Sequence, residues 1–313
     1  MMKNSGAGVI VFMLLGQLAL AQTNSADEDA ALDEIIVRAA RTGVPPSAIA
    51  GTVSIIDAET LSQQAAISDD LYSVLSISVP GFAPSIQKLT GRSETLRGRN
   101  PLYLVDGVPQ HNALRDGSRD GHSFDLDFIE RIEVINGSNA IQGVGATGGV
   151  VNTVTVSPEP GSGWGARVRA RALAADDFDD DSLGYKLSFL ATHGGDEIDV
   201  AFGAALHERG LFIDDDGNPV GLYPTQGDIM DSTSVNLFGK ATWRYAEGGA
   251  VTLVVNDFEL ERNGDFRAVL GDRAAGVPTG TVEGDPSADV GDPARNDNRL
   301  VSVTLTQEDV LGG

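Results

Sequence analysis

Gly143, Gly145 and Gly148 stand at G-x-G-x-x-G spacing in the stretch "IQGVGATGGVVNTVTV" (141–156), directly after the apolar run "IERIEVI". After a strand, such glycines signal a dinucleotide site, in which a helix opens at the third glycine and its N–H groups receive the pyrophosphate. Here the chain runs on as Gly149-Val150-Val151-Asn152-Thr153-Val154-Thr155-Val156, and a β-branched run favours a strand over a helix. Phosphate chemistry lacks its helix, so the glycines need a structural task. His111, His122, His193 and His207 fall at no metal-ligand spacing and read as surface or loop residues. The aspartate runs 176–181 and 214–216 miss the D-x-[DN]-x-[DN]-G spacing of a calcium loop and read as solvated connections. With no nucleophile beside a base and no paired catalytic carboxylates, the residues do not describe an enzyme. No cofactor and no bound metal are expected.

The elements that would position these residues fall into distinct stretches. Lys3 is followed by an apolar run from Val9 to Leu20 that ends in Ala19-Leu20-Ala21. This is the pattern of a cleaved signal peptide (1–21), too short for the roughly 20 apolar residues that span a bilayer. Residues 22–50 are polar, then acidic, then proline-rich, and form a leader with one extended island, Asp33-Glu34-Ile35-Ile36-Val37-Arg38-Ala39. The net charge of −23 argues against nucleic acid as a partner. Zero cysteines exclude a disulfide scaffold, leaving a large core or extensive strand pairing as the source of stability.

Residues 51–157 read as a compact α+β unit. Strand "GTVSIID" precedes a helix over about 58–64 with Asp57 as N-cap, and a second helix near "SDDLYSVLSIS" has Ser68 as N-cap. Strands "SETLRG", "PLYLVDG" and "ERIEVI" follow, then the glycine loop. Beyond Pro160 the texture changes. Trp164, Ala166, Val168, Ala170 and Ala172 alternate with Gly165, Arg167, Arg169, Arg171 and Leu173, and "YKLSFLATH" (185–193) and "SVNLFGKATWRY" (234–245) repeat the two-faced pattern. Acidic, glycine-rich connections separate these strands, as in an outer-membrane barrel with long outer loops and short inner turns. A soluble β-sandwich with one wet face uses the same period.

The order of signal peptide, extended island, α+β unit and alternating strands resembles that of a TonB-dependent outer-membrane receptor. "ETLRGRNPLYLVDGVP" (94–109) is similar to a plug-domain segment of that family, and "IERIEVINGSNAIQGVGATGGVVNTVT" (129–155) to the motif that closes the plug. "DEIIVRA" (33–39) looks like a TonB box. The resemblance implies an α+β plug (51–157) followed from residue 158 to 313 by antiparallel transmembrane β-barrel strands. It gives structural places to Gly98, Asp106, Gly107, Glu130, Glu133, Gly143, Gly145, Gly148 and Gly149, the glycines allowing tight folding between two plug strands. Gln142 departs from the aromatic residue usual before the glycine of this loop.

The resemblance further implies that Arg97 and Arg131 latch the plug to barrel glutamates, although Arg131 has Glu130 and Glu133 at hand. Lys88, Arg92, Arg115 and Arg119, on the stretches 84–92 and 110–123, are the cations that would hold an anionic chelate. The implied function is import of a scarce substrate, a ferric siderophore by default, from the cell outer membrane. The energy would come from the inner-membrane TonB protein acting on residues 33–39. Cobalamin, haem or oligosaccharide are alternative cargoes within the family, and a soluble secreted β-rich binding protein is the alternative outside it. A 22-stranded barrel needs roughly 220 strand residues, so 161–313, with room for five to seven strands, are expected to be part of a longer receptor. Sequencing past the codon for Gly313 tests that expectation.

Overall fold

The computed structural model describes residues 51–91, 93–110, 119–138, 145–174, 180–221, 227–264, 266–283 and 295–307. The extended island 33–39 and Arg92, His111, Arg115 and Gly143 lie outside the described residues.

The α+β unit is built on a five-stranded sheet in the order β1 (Val53–Ile56), β4 (Ile129–Asn136), β5 (Gly149–Thr155), β2 (Leu102–Val105) and β3 (Val108–Pro109). Only the β2–β5 pair is parallel. Helices α1 (Ala58–Ala65) and α2 (Leu71–Ser78) follow β1. Asp57 caps α1 by accepting from the Thr60 N–H at 2.8 Å. The cap of α2 is Asp70, not Ser68: its carboxylate accepts from the Ser73 N–H and hydroxyl at 3.0 and 2.9 Å, two bonds that a serine three residues outside the helix has no reach to make. "SETLRG" is not a strand either. Arg97 and Gly98 both take positive φ (53° and 77°) in a turn, and pairing there is confined to isolated bridges.

Asp106 (φ 47°) and Gly107 (φ 82°) form the two-residue turn between β2 and β3, with Val105 opposite Val108. Two consecutive positive φ values are what Asp-Gly supplies at least cost in a hairpin that must match strand twist. At the glycine loop, β5 begins at Gly149 with no helix, so the fingerprint is structural. A side chain at Gly148 would collide with the Arg99 carbonyl, and one at Gly149 (φ 140°) with the Ile135 carbonyl.

The second sheet has six strands, all antiparallel, in the order β13 (Arg295–Gln307), β10 (Gly249–Arg262), β9 (Ser232–Ala246), β8 (Ile198–Arg209), β7 (Gly184–Gly194) and β6 (Gly163–Leu173). Its connections alternate: 195–197 and 247–248 are tight, whereas 174–183, 210–231 and 263–294 are long, the last carrying a small hairpin of β11 (Phe266–Val269) and β12 (Gly280–Glu283). Strand parity decides the faces. Trp164, Val168, Leu187, Phe202, Leu237 and Leu253 are exposed on the outer side, and Lys186, Ser188, Asn236, Phe238, Lys240 and Asn256 are buried on the inner. An apolar outer band and a polar inner face is the arrangement of a membrane barrel wall. Near the tight turns, Trp164 stacks on His193 at 4.6 Å and Trp243 lies 5.7 Å from Tyr245, an aromatic belt at one rim.

The two units share one core. Leu75, Phe128 and Ile132 of the α+β unit join Leu190, Ala201, Phe238 and Val254 of the wall in a single apolar cluster, with the Phe128 and Phe238 rings stacked at 5.6 Å. Gly203 makes this possible, because a Cβ there would occupy the Phe128 ring.

Candidate functional site

The inner face of the wall meets the α+β unit through a buried ionic seat. Residues two apart on a strand point the same way, so Arg167, Arg169 and Arg171 of β6 all reach inward. They converge on Asp127, in a one-turn 3₁₀ segment (Leu126–Phe128) just before β4. Asp127 Oδ1 receives Arg169 at 2.5 Å and Arg171 at 2.9 Å, Oδ2 receives the Ser188 hydroxyl at 2.8 Å and Lys186 at 3.1 Å, and the Asp127 carbonyl receives Arg167 at 2.5 Å. Lys186 also lies 2.7 Å from both Asp69 and Asp125, and Asp69 is paired with Arg171 at 3.2 Å and faces His207 at 3.0 Å. Burial alone would raise the Asp127 carboxyl. The Lys186 ammonium and the Arg171 and Arg169 guanidiniums outweigh it and hold the group well below the usual carboxylate range. Asp69 is lowered in the same way against its burial, by Lys186, His207 and Arg171. At Asp125 burial wins over Lys186, and the group is raised.

A second contact lies on β9. Lys240 donates to the Thr155 hydroxyl at 2.9 Å and carbonyl at 3.2 Å and pairs with Asp106 at 3.3 Å, while Asp106 also accepts from the Thr155 N–H at 2.9 Å. From the same turn a buried chain runs back across the sheet: the Gly107 N–H donates to Asn152, Asn152 donates to Glu133 at 3.0 Å, and Glu133 pairs with Arg131 at 2.9 Å. Farther along, Asn236 accepts from the Asp125 N–H at 2.8 Å and Asn256 donates to the Ser123 carbonyl at 2.9 Å.

At the end bearing the long connections, the loop 84–91 packs against the β8–β9 connection. Lys88 pairs with Asp228 and donates to the Gly221 carbonyl at 3.0 Å, and the Leu89 N–H donates to the Gly227 carbonyl at 3.3 Å. Arg119 donates to the main-chain carbonyl of Arg295 on β13.

Residues 45–150 match the TonB-dependent Receptor Plug Domain family. A rhizobactin receptor of Rhizobium meliloti (strain 1021) is 27% identical over 326 aligned residues, which cover 99% of this chain and 42% of the relative. A ferric aerobactin receptor of Escherichia coli is 28% identical over 261 residues, covering 83% of this chain and 34% of that one. Over residues 45–150 the chain carries a plug domain of the TonB-dependent receptor kind. A solved structure of the ferric enterobactin receptor PfeA of Pseudomonas aeruginosa matches this fold with a TM-score of 0.56 at 21% identity, over 82% of this chain and 39% of that chain. This chain thus spans between a third and about two fifths of the length of the curated relatives.

Within the TonB-dependent plug, the motif residues have distinct tasks. Asp106 and Gly107 make the hairpin turn and dock it on Lys240, and Glu133 buries its carboxylate between Arg131 and Asn152. Arg131 pairs with Glu130 at 2.8 Å and with Glu133, so it braces its own strand. Arg97 is exposed. Lys88 is committed to Asp228 and to the Gly221 carbonyl of the β8–β9 connection. His122 lies in a loop, as expected, but is buried against Tyr72, whereas His207 is on strand β8 and sits largely buried over Asp69 on the inner face, not at a surface or loop position. No group of three potential metal ligands occurs among the described residues. Sequence reasoning missed Asp69, Asp125, Asp127, Lys186 and Lys240. The signal for their partners was present in the parity of Arg167, Arg169 and Arg171, but parity does not say which acids meet them.

Proposed function

We propose that this chain is part of an outer-membrane importer that takes a ferric siderophore from outside the cell and passes it inward past the plug, using work delivered by the TonB protein. The observation that carries the reading is the pair of siderophore-receptor relatives, each aligned with more than four fifths of this chain. The geometry is consistent with it: a plug packed against a polar inner wall blocks free passage, and no bond in the cargo has to break. Residues 1–21 are assigned to export and 22–50 to the periplasmic leader. The plug is placed at 51–157, and the barrel from residue 158. Arg97 keeps a proposed latch role toward the wall, and Arg92, Arg115 and Arg119 a proposed role toward an anionic cargo.

Residues 33–39 are the proposed TonB contact. Ile35, Ile36 and Val37 suit addition as a strand to an exposed sheet edge, where main-chain hydrogen bonds carry the pairing. Proline removes a donor and fixes φ, so Ile36→Pro in the full-length receptor should abolish uptake of labelled ferric aerobactin by iron-starved cells and leave cell-surface binding intact. Ile36→Val should be nearly silent. Undiminished uptake in the proline variant removes the TonB assignment, and failure of the parent receptor to bind either ferric aerobactin or ferric rhizobactin removes the siderophore assignment.

A further inference from the structure

Beneath the apical loop 84–91 lie two carboxyl groups that the ionic seat does not use. Asp70 is 8% exposed, and its Oδ2 accepts from the Ser85 hydroxyl at 2.7 Å as well as from Ser73, while its buried Oδ1 has no hydrogen-bond partner. Glu94 is 1% exposed; Oε1 accepts from the Ile86 N–H at 2.9 Å, and Oε2 is buried without a hydrogen-bond partner. Ser85 and Ile86 are consecutive, so the two carboxyls grip adjacent residues of one loop from below. That loop is closed at its base by the Ala83 N–H donating to the Thr95 carbonyl at 2.8 Å, and Gln87 turns it with φ 53°.

The nearby guanidinium, Arg209, faces Asp70 rather than Glu94. Tyr72 from α2, Tyr103 from β2 and Asp120 and His122 from the 119–125 segment face the pair, and Arg209 from β8 shares a cavity of about 30 Å³ with Asp70 and His122. The Tyr103 hydroxyl and His122 Nε2 are also buried without hydrogen-bond partners. A buried carboxyl with one oxygen left without a hydrogen-bond partner ionises at a cost, and Glu94 keeps its proton.

We propose that Glu94 is a buried, protonated carboxyl that, beside Asp70, positions the apical loop 84–91 for its ligand. The ligand part of this statement rests on the receptor reading above; the protonated carboxyl itself does not. With Glu94 protonated the carboxyls seat Ser85 and Ile86, and through Lys88–Asp228 the seated loop also sets the β8–β9 connection of the wall. Burial, with the neighbouring Asp70 charge, raises Glu94 to about 7 against the bond from Ile86. The folded chain therefore holds a proton that the unfolded chain releases at its ordinary value of 4.5. The stabilisation is full below that value and is lost as pH rises through about 7. Deprotonation places a second charge in the same dry space and lifts the loop.

A spin label at the exposed position Gln87, introduced as Gln87→Cys in the intact receptor in detergent micelles, reads this without any ligand. Between about pH 5.5 and about pH 9 the label should change from ordered to several-fold more mobile, with its midpoint near the raised Glu94 value. Glu94→Gln copies the protonated shape and should stay ordered throughout. Asp70→Asn removes the neighbouring charge and should lower the midpoint. Mobility independent of pH in the parent, a Glu94→Gln variant that titrates like the parent, or an unmoved midpoint in Asp70→Asn each overturns the proposal. Ferric aerobactin binding, measured on the same samples, should weaken several-fold on the alkaline side in the parent and not in Glu94→Gln. A label that titrates as expected in a receptor that binds no ferric aerobactin upholds the protonated Glu94 and refutes only the cargo.

Discussion

The Asp127 carboxylate engages four wall residues, Arg169, Arg171, Lys186 and Ser188, while being 2% exposed, and that combination sets the cost of losing it. Taking one partner from a buried ion cluster strands the others without compensation, which costs about 3–5 kcal/mol. A carboxamide of the same shape keeps the Ser188 bond but not the charge. Asp127→Ala should therefore destabilise the plug in its wall by about 3–5 kcal/mol, with Asp127→Asn falling between it and the parent, as read by denaturant unfolding of the folded receptor. The pH dependence has a definite sign. Asp69 and Asp127 are both held below their ordinary value of 3.8, so their contribution is fully present above that value and declines only as pH falls beneath it. The ionic seat thus persists across the range in which Glu94 titrates, and the loosening of loop 84–91 on the alkaline side is separable from undocking of the plug in strong acid.

Leu253 shows what the strands ask of the sequence. It sits on β10 opposite Ala241 of β9 and Val303 of β13 and points outward, in the middle of the apolar band. A charge there meets hydrocarbon, so Leu253→Arg should cost about 2–4 kcal/mol in reversible folding into lipid vesicles, whereas the same change near a rim should cost close to nothing. Alternation of this kind is legible in the sequence of β6, β7 and β9, because period 2 is written directly in residue order. So are the helix that starts at Ala58 and the strand nature of 149–155, where β-branched residues overrule the glycine fingerprint. What is not legible depends on contacts distant in sequence. "SETLRG" has strand-like composition, yet Arg97 and Gly98 turn with positive φ where the segment folds back on Gly81 and Arg99. Ser68 and Asp70 are equally good caps by type, and it is the bonds that Asp70 accepts from Ser73, with the carboxylate held in place by Ser85 fifteen residues on, that set the later start.

In the ionic seat and at Lys240, acids of the plug face bases of the wall, whereas Lys88 of the plug meets Asp228 of the β8–β9 connection. The resemblance implies plug bases Arg97 and Arg131 seeking wall glutamates; among the described residues Arg131 pairs with acids of its own strand and Arg97 is exposed. The observed docking runs from Asp69, Asp125, Asp127 and Asp106 to Arg169, Arg171, Lys186 and Lys240, on strands β6, β7 and β9. A net charge of −23 therefore coexists with a cationic inner surface, because the acids that neutralise it come from the plug. The shared apolar core around Phe128 and Phe238 would hold the two parts together without the ions, but apolar contact carries little directional information, whereas charge pairs fix register. Replacing Asp69, Asp125 and Asp127 together by asparagine removes three buried charges and leaves Lys186 and the β6 arginines facing one another without counter-charge. In the full-length receptor this triple variant should let the plug shift and admit large antibiotics that the parent excludes, measured as sensitivity of cells carrying equal amounts of receptor at the surface. Arg97→Ala, which removes an exposed side chain, should leave sensitivity near the parental level if the seat on β6 and β7 carries the docking. Equal sensitivity of parent and triple variant would show that the apolar core alone fixes the plug, and a large effect confined to Arg97→Ala would return the latch to the arginine that the family resemblance singled out.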